Sequence, residues 1–211
     1  MNLKDKIEQL APEAIFWDFD GVIMASNEVR DSGFEKVLAD YPKDQVDKLL
    51  AFHRKNGGLS RYVKFRHFFE EIRGESISDT EVKEWAEKFS EIMRKLLTDP
   101  GLQIKETISY IKRNHKLMPM YIVSGSDQEE LRFLCMAHGI ADCFKRIHGS
   151  PTAKKEWVKI ILEEENLIPG NCVLIGDSVN DWEAAKVNEV NFMAYNCSDD
   201  LINKSSTYIE F

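Results

Sequence analysis

Ala14 to Val22 reads AIFWDFDGV, an apolar run that ends in two acids and a glycine. Ala14 to Asp18 has the near-continuous apolar character of a strand covered on both faces, as in a parallel sheet. Asp18 and Asp20, two apart as the chain leaves that strand, can bring two carboxyls to one place, and Gly21 permits a sharp turn. A metal could tie down the first acid while the second stays free to carry a proton. A plain strand-end turn would show the same residues.

Further along, Pro119 to Val123 (PMYIV), Cys172 to Ile175 (CVLI) and Val190 to Ala194 (VNFMA) read as strands, with Ile147 and Thr207 to Ile209 as short edge strands. Helical patterns lie between them: Leu102 to Asn114, Asp127 to His138 with Gly139 as C-cap, and Lys155 to Glu165. Strands alternating with helices predict a doubly wound α/β core. Between the first two strands, Asn27 to Thr98 carries no strand-like run. Val46, Leu49, Leu50 and His53 share one helical face; Tyr62, Phe65, Phe69 and Ile72 share a second. Val82, Trp85, Phe89, Ile92 and Leu96 share a third, opened by the capping-box pair Ser78 and Glu81. Asp99-Pro100-Gly101 then breaks the chain. The stretch is too long for a simple crossover. Residues 27–98 are therefore expected to form an α-helical cap domain inserted into an α/β core of residues 1–26 and 99–211.

Each later strand is followed by polar residues. Ligands of open α/β sheets bind beyond the carboxyl ends of the strands, so these residues should converge. Ser124-Gly125-Ser126 offers a hydroxyl and backbone N–H groups to an anion; either serine could instead be an ordinary helix N-cap. Lys154-Lys155 offers an ammonium, or a solvated lysine in a first helical turn. In Gly176-Asp177-Ser178-Val179-Asn180-Asp181, two acids four apart could serve one hard cation such as Mg²⁺, or only complement a helix N-terminus.

In this order the four segments DFDGV, VSGS, Lys154 and GDSVND resemble the haloacid dehalogenase superfamily, from about Ala14 to Ala194. The resemblance implies a Rossmann-like parallel core and a set of roles. Asp18 would be the nucleophile and Asp20 the general acid/base. Ser124, with Gly125, would hold the phosphoryl oxygens, and Lys154, chosen over Lys155, would bridge Asp18 and the phosphate. Asp18, the Asp20 carbonyl and Asp177 would hold Mg²⁺, with Asp181 ligating it or orienting its waters. Asp20 itself looks like phosphatases and phosphomutases, since dehalogenases and phosphonate-cleaving relatives lack that second acid. The helical insert resembles the cap of the phosphoglycolate phosphatase and β-phosphoglucomutase group. The expected activity is Mg²⁺-dependent hydrolysis of a small phosphorylated metabolite through an aspartyl-phosphate. A phosphomutase, or a non-catalytic binding module on the same fold, stands as the alternative.

From His53 to Arg73 six bases face two acids, a net +4 in a chain of −8. Gly57-Gly58 gives this stretch a joint, and Ser60 could cap the helix that follows. Arg61 and Lys64 are candidates to meet the substrate on closure. Arg54 and Arg61, beside the glycines, are read equally as substrate-binding or solvated. Lys55, Arg66 and Arg73 are read as a solvated face, His53 and His67 as packing or surface residues.

With 43% hydrophobic and 30% charged residues the chain suits a globular protein and argues against disorder. The net charge disfavours nucleic acid as a partner. No apolar run approaches the ~20 residues of a membrane helix. The opening MNLKDKIEQLAPE is charged throughout, unlike a secretory signal, so a cytoplasmic location is expected. Cys135, Cys143, Cys172 and Cys197 lack CxxC spacing and are expected as thiols, with no zinc site. A monomer or small homo-oligomer is expected.

Overall fold

A computed structural model describes residues 2–197, 199–203 and 207–209 of the 211-residue chain. Its strands are β1 (Ala14–Trp17), β2 (Met120–Asp127), β3 (Arg146–Ser150), β4 (Cys172–Gly176), β5 (Asn191–Tyr195) and β6 (Thr207–Ile209). They form one sheet in the order β3-β2-β1-β4-β5-β6, every neighbouring pair parallel. Each apolar run anticipated as a strand is one, the two edge strands included. β2 runs four residues beyond Val123, through a register shift into polar Ser124–Asp127 that hydropathy does not mark.

The helices, in chain order, are α1 (Leu3–Leu10), α2 (Asn27–Val37), α3 (Lys43–Lys55), α4 (Arg61–His67), α5 (Asp79–Leu96), α6 (Lys105–Asn114), α7 (Gln128–Ala137), α8 (Lys154–Glu164), α9 (Val179–Val187) and α10 (Asp199–Ile202). Among the described residues no helix is long and apolar enough to cross a membrane. Successive side chains of a strand point to opposite faces. Ile15, Trp17, Ile122 and Ile175 accordingly enter one core, shared with α1, α6 and α7 through Ile7, Ile111 and Leu134. Phe16, Tyr121, Val123 and Leu174 enter the other, shared with α8 and α9 through Ile161 and Ala185. The result is a doubly wound α/β sheet, as expected.

Helices α2 to α5, all between β1 and β2, gather around an aromatic cluster that is continuous with the first core. Phe34 of α2 lies 4.4 Å from Phe89 of α5 and 5.5 Å from Phe65 of α4, ring centre to ring centre. Burying each such ring contributes about 1.5–3 kcal/mol, enough to hold otherwise polar helices together. Local signals act as read: Ser78 and Glu81 close a capping box on α5, and Ser60 caps α4. One helix was not anticipated and one reading changes. The charged N-terminus forms α1, capped by Asn2, because Leu3 and Ile7 fall one turn apart on its buried face. The N-cap of α7 is Asp127, which accepts from the amides of Glu129 and Glu130, so neither Ser124 nor Ser126 is used for capping.

Candidate active site

Strand register builds the site. Trp17 pairs with Ile122 on one side and Ile175 on the other, so β1 and β4 end almost level, while β2 carries on through Ser124 to Asp127. Asp18 and Asp177, which leave these ends, meet Ser124 of β2 at the point where strand order reverses on either side of β1. The Asp18 amide donates to the Ile175 carbonyl at 2.9 Å, which holds the turn against β4. Gly21 sits at φ +76°, and a Cβ there would lie 1.9 Å from Asp177 Oδ2. Glycine is required twice over, for the left-handed backbone and for the space.

Asp18 is buried and Lys154 Nζ lies 2.9 Å from its Oδ1. The same ammonium bonds Asp181, whose other oxygen accepts from the amide and hydroxyl of Ser178 in a capping box at the start of α9. Lys154 is itself buried, whereas Lys155 is exposed. Burial would depress the lysine, but Asp18 and Asp181 outweigh it and hold its pKa above the ordinary value. Ser124 is buried beside them, and its hydroxyl accepts from the Ser126 amide at 3.1 Å.

Asp18, Asp177 and Asp181 each present a carboxylate oxygen within 4.8 Å of the others. Burial and mutual repulsion raise Asp18 well above the carboxylate range and push Asp177 up to about 7. Three crowded acids exceed what one lysine neutralises. An oxygen-only donor set short of positive charge fits a hard divalent cation such as Mg²⁺.

Asp20 is held differently. Arg30 Nε donates to its Oδ1 at 2.9 Å, Ser126 Oγ donates to its Oδ2 at 2.6 Å, and Ser26 Oγ also donates to Oδ1. Burial opposes ionisation, but Arg30 and the hydroxyls prevail and lower Asp20 to about 2. Arg30 also reaches Glu130 of α7 at 2.6 Å and Ser126 at 2.8 Å. Glu130, with no exposed surface, takes Arg61 on its other oxygen at 2.5 Å, and Arg61 continues to Ser90 at 2.7 Å. A chain of charges, buried except at half-buried Asp20, thus runs from Asp20 through Arg30, Glu130 and Arg61 across α2, α7, α4 and α5. Sequence reading did not single out Arg30 or Glu130. They lie 100 residues apart, and their burial, not their residue type, marks them.

One cavity of about 820 Å³ has Asp18, Asp20, Ser124, Gly125 and Asp177 at one end and α2, α3 and α4 over them, Arg30 and Arg61 included. Gly125 meets the helical layer directly: a Cβ there would lie 2.0 Å from the Gly58 carbonyl oxygen, which accepts from Asn180 Nδ2 at 2.7 Å. Arg61 and Lys64 are wall residues, each 4% exposed. Arg54 lines the mouth, largely exposed and paired with Asp31 at 2.7 Å. Arg66 pairs with Glu70 and Asp79, and Arg73 with Glu75, away from the cavity. His67 stacks on Phe52. His53 packs on Phe34 and lines the cavity, and burial, with Lys64 and Arg30 nearby, lowers it to about 3, so it is neutral.

The haloacid dehalogenase-like hydrolase family model matches residues 15–195, and the chain belongs to that family. Among similar solved structures, β-phosphoglucomutase of Clostridium difficile is 17% identical with a TM-score of 0.77, over 94% of this chain and 91% of that one. A predicted phosphoglycolate phosphatase from Haemophilus somnus is 13% identical with a TM-score of 0.70, over 94% and 93%. The HAD-hydrolase YfnB of Bacillus subtilis, solved bound to magnesium, is 14% identical with a TM-score of 0.69, over 94% of each. At these identities the likeness is one of fold. No curated protein sequence matches the chain.

Proposed function

We propose that the chain is a Mg²⁺-dependent phosphatase that hydrolyses a small phosphomonoester through an aspartyl-phosphate on Asp18. The observation that carries this reading is the buried contact of Lys154 with both Asp18 and Asp181, beside Ser124 and within a cluster of acids. Lys154 offsets part of the charge of the acid cluster, and the same ammonium, in contact with Asp18, would offset the repulsion when that carboxylate attacks an anionic phosphate. Asp18, Asp177 and the Asp20 carbonyl would hold Mg²⁺, which supplies further charge against that repulsion.

Asp18 forms a bond to phosphorus as the ester P–O bond breaks, and Asp20 gives its proton to the departing alkoxide. Water then attacks phosphorus, Asp20 takes the water's proton, and the acyl-phosphate bond breaks to return Asp18 and free inorganic phosphate. Ser124 and the Gly125 amide serve the phosphoryl oxygens, and Asp181 orients Lys154. Arg30, Ser26 and Ser126 keep Asp20 in the base form that the second half needs. For the first half Asp20 must carry a proton, which requires the Arg30 contact to loosen as substrate fills the cavity. Residues 27–98 act as the cap, and Arg54 at the mouth and Arg61 in the wall shape what enters. The neighbouring β-phosphoglucomutase and phosphatase folds support a phosphorylated small molecule as substrate. A screen of phosphomonoesters with and without Mg²⁺ tests the reading. Steady Mg²⁺-dependent phosphate release supports it; isomerisation of a sugar phosphate with little free phosphate would make the chain a mutase instead.

A further inference from the structure

Lys64, in the wall of the cavity, is 4% exposed and makes no side-chain hydrogen bond and no ion pair among the described residues. A buried ammonium without a partner is costly, and lysines are seldom buried unless paired. None of the acids nearby forms an ion pair with it among the described residues. Asp20 is taken by Arg30 and two hydroxyls and Glu130 by Arg30 and Arg61, while Asp31 pairs with Arg54 through Oδ2 and keeps its buried Oδ1 without a hydrogen bond. His53 is neutral. Burial above all, with Arg30 and Arg61 adding like charge against Asp20 and Asp31, lowers the Lys64 ammonium to about 7. Glu28 and Glu35 at the mouth stand in water, where screening weakens them. The cavity, about 820 Å³, is in the size range of whole small-molecule ligands and exceeds what a phosphoryl group alone fills.

We propose that Lys64 sets substrate specificity by binding an anionic group, a carboxylate or a second phosphate, carried on the leaving group beyond the scissile ester. This rests on the phosphatase reading and names its substrate class: phosphomonoesters of an acid or of a second phosphate, in preference to those of a neutral alcohol. It also moves the anion contact from Arg61, whose guanidinium is spent on Glu130, to its neighbour one helical turn on.

The test uses three esters with the same three-carbon leaving group: propyl phosphate, the phosphate ester of 3-hydroxypropionate, and propane-1,3-diol bisphosphate. Phosphate release is measured with Mg²⁺ for wild type, Lys64→Met and Lys64→Arg. Wild type is expected to prefer an anionic ester to propyl phosphate, and which one it prefers tells carboxylate from phosphate. Lys64→Met should cut that preference about tenfold to a hundredfold, mainly through KM, and Lys64→Arg should keep most of it. Loss of an unpaired buried charge should leave Lys64→Met at least as stable as wild type, so a variant that fails to fold makes Lys64 structural and overturns the proposal. Equal loss on all three esters, or a wild type that does not discriminate, overturns it as well. If wild type hydrolyses none of them, nor an aryl phosphate, the phosphatase reading fails by itself. Calorimetry with the same esters then decides: tighter binding of an anionic ester that Lys64→Met loses sustains the Lys64 site, and equal binding overturns it.

Discussion

Replacing Glu130 by glutamine removes the buried central acid from a set of four linked charges. Asp20, Arg30, Glu130 and Arg61 sum to zero, and Glu130 lies at 2.6 Å from Arg30 and 2.5 Å from Arg61. The amide keeps the shape and one acceptor but leaves two guanidinium groups sharing one carboxylate. Breaking a buried pair from one side costs about 3–5 kcal/mol, which for a chain of this size is a fall of roughly 6–20 °C in Tm. Adding Arg61→Met restores neutrality as an Arg30–Asp20 pair. The double variant should therefore be more stable than the sum of the singles by at least about 1.5 kcal/mol. Sign gives an internal control. Burial opposes ionisation of Glu130, but Arg61 and Arg30 win and its pKa is lowered. Its contribution is present above the unfolded carboxylate pKa and is lost as pH falls through the lower folded value, so wild type and Glu130→Gln should converge in acid. Urea denaturation of the four chains at neutral pH and in acid reads all of this. Additive losses, or a Glu130→Gln cost under about 1 kcal/mol, would refute the buried network.

Asp18→Asn should lower phosphate release at least about a thousandfold while Tm is kept or raised, because it removes the attacking charge and one of three crowded acids; substantial turnover by the purified variant would sink the covalent route. Asp177, raised by burial and by Asp181 to about 7, makes the metal-free fold lose stability as pH rises from the unfolded carboxylate pKa towards neutrality. The thermal shift produced by Mg²⁺ over chelator should accordingly grow from pH 5 to pH 8, and a shift independent of pH would count against the acid cluster as its site. Gly21→Ala should abolish Mg²⁺-dependent activity and cost about 1–3 kcal/mol, since the new methyl meets Asp177; near-normal activity would mean that the turn can relax.

The strands and the residues that leave them could be read from the chain because both depend on local order: apolar runs make buried parallel strands, and a parallel sheet carries their ends to one edge. The same logic explains what was hidden. Arg30 belongs to a helix with no strong apolar face, and nothing near it in sequence announces that Glu130, 100 residues later, will be its partner. Arg61 and Lys64 read as candidates to meet the substrate, Arg61 equally as a solvated base, and it is the packing of α4, against β2 and α5 among others, that removes them from water. The Ser124–Asp127 end of β2 looks like a loop, since its extension depends on pairing with β3 at Ser150, not on hydropathy. Helix α1 was masked by its charge, yet two apolar residues one turn apart were enough to dock it.

The touching backbones of Gly58 and Gly125 leave the two ends of one segment unequally fastened. At Gly58 the tie is a single hydrogen bond from Asn180, worth about 1 kcal/mol net, with no side chain interlocked. Three residues on, Arg61 is anchored to Glu130 through a buried ion pair that is far harder to part. Thermal motion therefore peels the glycine end first, like the free edge of a label, while the helix behind it stays down. Amide exchange at Gly57 to Leu59 should accordingly run well ahead of exchange in α4.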